Sequence, residues 1–90
     1  LNMKQFYAVA FFAQNAHSSR AASGWVCGTN DSEAEGNAMN VCRKRYPKAD
    51  GYYSHQVSLY HIGQISDDGK TITTNLGERF NFATNNPITH

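Results

Sequence analysis

Residues 4–13, KQFYAVAFFA, divide into two alternating apolar sets: Phe6, Ala8, Ala10 and Phe12 on one side, Tyr7, Val9, Phe11 and Ala13 on the other. Successive side chains of a β-strand point to opposite faces, and Phe, Tyr and Val favour the extended conformation. A strand apolar on both faces has to be covered twice, or it presents its second face as a contact surface. Nothing else in the chain restricts the fold as strongly. The stretch faintly mimics a secretory signal, with Lys4 ahead of a short apolar run and alanines. Tyr7 breaks that run and Gln14 and Asn15 follow directly, so it reads as a first strand.

QNAHSSR, residues 14–20, is a polar loop, and AASGWVCGT, residues 21–29, supplies a second strand around Trp25, Val26 and Cys27. Gly24 inside it predicts a bulge, and the two strands are expected to form a hairpin. Residues 30–47, NDSEAEGNAMNVCRKRYP, carry a helix signature. Ser32 followed by Glu35 has the spacing of a capping box, in which hydroxyl and carboxylate each satisfy an unpaired backbone N–H. Ala34, Ala38, Val41, Cys42 and Tyr46 fall on one helical stripe, and Pro47 stops the helix at or just after Tyr46. The small residues at its start allow a close approach to a sheet.

A third, long strand follows in GYYSHQVSLYHIGQI, residues 51–65. Tyr53, His55, Val57, Leu59 and His61 share one face; Tyr52, Ser54, Gln56, Ser58, Tyr60 and Ile62 share the other. SDDGK turns the chain at Asp68-Gly69 into a fourth strand, TITTN. The expected fold class is α+β: one small domain over residues 3–76, ββαβ(β), with one helix packed on one face of an antiparallel sheet. A right-handed crossover places the third strand beside the first. Residues 77–90 read as a partly ordered tail whose Phe80 and Phe82 dock on the domain.

Ninety residues suffice for one modest core, and a formal charge of +1 gives no global field toward polyanions or anionic membranes. No run reaches the ~18 apolar residues of a transmembrane helix, so a membrane partner is not expected. Cys27 closes a strand and Cys42 lies near the far end of the helix, about 15 Å away along its axis, too far for a disulfide. Two reduced thiols point to a cytoplasmic setting. His55 and His61 stand six residues apart on one strand, about 20 Å, and cannot share an ion. Neither a metal nor another cofactor is expected.

Two surfaces remain as candidates. If Val57 and Leu59 meet the helix, Tyr52 and Tyr60 point away from it, and a matching register brings Tyr7, Phe11 and Trp25 beside them. Such an aromatic face suits a homodimer contact or a protein partner. Arg43, Lys44 and Arg45, with Lys48 just beyond, crowd the last turn of the helix. Cations there complement the unpaired carbonyls, and a nucleic-acid-binding accessory protein would use them with the stacking aromatics. No arrangement of nucleophile, base and orienting group is fixed by spacing, so an enzyme is not expected. The reading is a small non-enzymatic interaction module.

Overall fold

A computed structural model describes residues 3–82 and 86–87. Its elements are β1 (Met3–Gln14), β2 (Ser19–Gly28), α1 (Asp31–Arg45), β3 (Ser54–Ser66), β4 (Thr71–Thr74), β5 (Arg79–Asn81) and β6 (Asn86–Pro87). The strands form one antiparallel sheet in the order β2-β1-β3-β4-β5-β6, with α1 packed on one face, an α+β fold. The doubly apolar β1 is central, paired with β2 on one side and β3 on the other. None of the described helices is long and apolar enough to cross a membrane.

Register decides which apolar set of β1 meets the helix. Tyr7, Val9 and Phe11 pair with Val26, Gly24 and Ala22 of β2 and with His61, Leu59 and Val57 of β3. These rows face α1, whose Ala34, Ala38 and Cys42 are completely buried one turn apart. Side chains this small let the helix axis sit low over the sheet. At Gly28 a Cβ would come within 2.6 Å of the Ala34 backbone nitrogen, so only glycine permits that approach. Val41, expected inside the stripe, lies on its flank and is 46% exposed.

The helix begins two residues earlier than the Ser32–Glu35 spacing predicts. Asn30 is the N-cap and accepts from the Glu33 N–H at 2.8 Å, while Glu33 reaches back to the N–H and hydroxyl of Thr29. Asn caps as well as Ser does, and this start gives the carboxylate two donors at once. It also sets Ala34 against Gly28. Tyr46 closes the helix by donating its N–H to the Cys42 carbonyl, ahead of Pro47.

The molecule measures 51 × 23 × 20 Å, and a helix of fifteen residues spans only about 22 Å of that length. A second core therefore forms at the other end, on the opposite face of the sheet. Phe6, Ile65 and Ile72 are buried there with Cys27, Ile62 and Phe82 packed against them. The predicted bulge at Gly24 is absent: β1 and β2 pair without interruption. The irregularity lies between Phe6 and Tyr7, where β3 passes from His61 to Gly63 and leaves Ile62 over. That extra residue reverses the alternation, moving Ile65 from the face of Val57 to the face of Phe6. At Gly63 a Cβ would meet the Thr73 carbonyl oxygen at 2.0 Å, so β4 crosses where no side chain fits.

Beyond residue 76, β5 continues the sheet by pairing with β4. Phe82 sets its ring edge-on to Phe6 at 5.3 Å and to Trp25 at 6.0 Å. Residues 83–85 and 88–90 of the expected tail lie outside the described residues.

Candidate interaction surface

The helix does not cover the remaining part of the sheet, and the second core meets it only at Trp25. Four rows of three residues are left there: Trp25–Ala8–Tyr60, Ser23–Ala10–Ser58, Ala21–Phe12–Gln56 and Ser19–Gln14–Ser54. None of the twelve carries a charge. Trp25, Tyr60 and Phe12 are 55%, 72% and 43% exposed. Between Trp25 and Tyr60 the floor is made of Ala8, Ala10, Ser23 and Ser58, which leaves a shallow trough of about 420 Å³. Exposed aromatic side chains and an absence of charge are features this stretch shares with interface cores, whereas the Ala and Ser of its floor are not.

The five aromatics expected on one face are divided. Trp25 and Tyr60 are brought together on the open face, flanking Ala8. Tyr7 and Phe11 have the opposite parity and lie under the helix, 2% and 3% exposed. Tyr52 precedes β3 and sets its ring edge-on to Tyr46 at 5.2 Å, beside the helix end. Phe12 joins the open face instead. Its exposure was implicit in the even-numbered set of β1 once Val9 and Phe11 face the helix.

Arg43, Lys44, Arg45 and Lys48 are all exposed, and Arg45 stands over the Tyr46 ring at 5.9 Å. This basic end belongs to the helix side of the sheet, so the cations and the exposed Trp25 and Tyr60 occupy opposite faces. His55 Nε2 bonds the Tyr46 carbonyl and ties β3 to the same corner.

Tyr7 forms a polar contact that no spacing in the sequence announces. Its hydroxyl donates to Asp31 in the first turn of α1, and its ring lies 5.1 Å from that of His61. Burial and the Asp31 carboxylate push the phenol up to about 12, which keeps it neutral and unsuited to act as a base near pH 7. Both nitrogens of His61 are engaged, Nε2 with Gln5 Oε1 at 2.8 Å and Nδ1 with Asn75 Nδ2 at 3.3 Å. The cluster fastens the helix start to the sheet. Cys27 and Cys42 are free thiols in cores on opposite faces, which separates them more effectively than helix length. Among the described residues no three His, Cys, Asp or Glu side chains converge to hold a metal.

Comparison with protein families, with characterised proteins and with solved structures finds no match for this chain.

Proposed function

We propose that this chain is a non-enzymatic interaction module that binds protein, a second copy or another chain, through the open face of β1, β2 and β3. The observation that carries the reading is the uncharged patch of four rows beside Trp25, Tyr60 and Phe12. Covering it removes apolar surface from water and desolvates no ion, so association gains the hydrophobic term without the cost of burying charge. The trough accepts a protruding aliphatic or aromatic side chain between two aromatic walls, of which Trp25 is held by Phe6 and Phe82.

Ser58→Lys tests this directly, because Ser58 is exposed at the centre of the face. The variant is expected to keep its fold and to weaken association at least tenfold, about 1.4 kcal/mol. Binding of a partner seated on this face, if unaffected by both Ser58→Lys and Tyr60→Ala, contradicts the reading.

A second reading, nucleic-acid contact, is favoured by the exposed Arg43, Lys44, Arg45 and Lys48, with Arg45 standing over the Tyr46 ring at 5.9 Å. It requires binding whose logarithm falls linearly with that of salt concentration and is lost on neutralising Arg43 and Arg45.

A further inference from the structure

β2 is an edge strand of ten residues, and its outer side is built for pairing. The hairpin closes with the Asn15 N–H donating to the Ser18 carbonyl. In an antiparallel ladder hydrogen-bonded pairs alternate with non-bonded ones, so Arg20, Ala22, Gly24 and Val26 bond to Ala13, Phe11, Val9 and Tyr7. The N–H and C=O groups of Ser19, Ala21, Ser23, Trp25 and Cys27 therefore point away from β1. An independent contact agrees: Asn37 Nδ2 donates to the Cys27 carbonyl at 3.0 Å, from outside the ladder. The helix thus closes the end of this edge, and among the described residues nothing pairs with Ser19, Ala21, Ser23 or Trp25 on that side.

Long edges are normally blunted by proline, a bulge or several charges. β2 has no proline, pairs with β1 without a bulge, and carries Arg20 as its one charge. The other described edge is treated differently: β6 is two residues long and contains Pro87. One edge is protected and the other is not.

We infer that β2 pairs antiparallel with β2 of a second copy about a two-fold axis at Ala22, joining the two sheets into one. This register sets Ser19 against Trp25 and Ala21 against Ser23, each twice, which satisfies every open backbone group and spares the Cys27 carbonyl already held by Asn37. The side chains meeting across the axis are small, apart from Trp25, which lies over Ser19, and Arg20, which lies over Gly24 on the other face. The two Arg20 residues are offset by four positions, about 14 Å, beyond the Debye length at physiological salt. Within β2, neither side-chain bulk nor like charge opposes the contact. The two uncharged faces then lie side by side. One alone is about 24 Å by 14 Å in projection, small for a stable interface, and pairing doubles it.

This inference rests on backbone groups and stands apart from the reading of the open face. The test is amide exchange by NMR over a dilution series, together with molar mass by light scattering. The expected result is a doubled mass at high concentration, with the Ser19, Ala21, Ser23 and Trp25 amides slowing at least about tenfold as dimer forms. Arg20, Ala22, Gly24 and Val26 are already protected within the monomer. Ser23→Pro removes an outward N–H that β1 does not use and is expected to give a monomer; Ser58→Lys, two strands from this edge, is expected to weaken only contacts made through the open face and to leave the edge pairing in place. A monomer at all concentrations overturns the inference. So does a dimer in which the four outward amides exchange rapidly, or one lost with Ser58→Lys and retained in Ser23→Pro. If Ser23→Pro fails to fold, the wild-type exchange pattern decides alone.

Discussion

Trp25 and Tyr60 pair with the same residue, Ala8, from opposite sides of β1. Two strand spacings separate them, about 9.5 Å, with an alanine methyl as the floor between. The two walls differ in attachment. Trp25 stacks on Phe6 at 5.4 Å and touches Phe82, whereas Tyr60 has no ring contact of this kind among the described residues. Tyr60→Ala is therefore expected to reduce association while leaving the thermal midpoint within a few degrees. Trp25→Ala should reduce it too and also lower stability by about 1 to 3 kcal/mol. Denaturant melts beside binding curves separate the two effects.

Glycines 36 and 63 should respond in opposite directions to alanine. Gly36 lies in the exposed part of the helix with nothing within 4 Å of a new Cβ. Its replacement should stabilise the chain by up to about 1 kcal/mol. Gly63→Ala drives a methyl into the Thr73 carbonyl and should cost about 3 kcal/mol or more. Urea denaturation of the two variants measures both.

Stability should fall at both ends of the pH scale for identifiable reasons. The Tyr7 phenol is raised from 10.0 to about 12 in the folded chain, by burial first and Asp31 second. Between those values the unfolded chain loses this proton and the folded one keeps it, so stability is intact below pH 10 and declines as pH rises toward 12. Tyr7→Phe removes this alkaline limb. At the acid end, bonds from the Thr29 N–H and hydroxyl hold Glu33 below its usual 4.5. Bonds from the Ser66 hydroxyl and the Lys70 N–H likewise hold Asp68 below 3.8. Both contributions are present above these values and disappear as pH falls below them. Melts from pH 2 to 12 read both limbs.

The two thiols should differ in reactivity without ever pairing. Cys42 is completely buried on the sheet-facing side of the helix and Cys27 is half-buried in the other core. Alkylation under native conditions should modify Cys27 first and Cys42 only on unfolding. Mild oxidation should produce no internal disulfide, as intact mass with and without reductant will report.

The α+β class, the hairpin, the placement of β3 beside β1 and the approach of a small-residue helix were all legible in the sequence. The elements depend on local periodicity or on one Pro or Gly, and the place of β3 on the handedness of the crossover. The aromatic face was not, because membership of a face depends on register between strands. Tyr7 and Phe11 share parity with Val9, so once Val9 meets the helix they follow it, and Phe12 takes their place outside. The helix start moved because Asn30–Glu33 and Ser32–Glu35 have the same spacing, and only contact with Gly28 separates them. The bulge beside Phe6 escaped detection because Ile62 belongs to an unbroken alternating run. With it went the second core, since strict alternation assigns Ile65 to the wrong side.

The central claim is that the uncharged face of the sheet is a contact surface. A photo-crosslinking residue placed at position 58, and separately at the exposed helix position 40, tests it most directly. Each labelled chain is irradiated alone and in extract of its native cells, with unlabelled wild-type or Ser58→Lys chain as competitor. The prediction is adducts from position 58, to itself or to another protein, that wild-type chain competes away and Ser58→Lys does not, with none from position 40. Equal labelling from both positions, or adducts at 58 that neither competitor reduces, would contradict it.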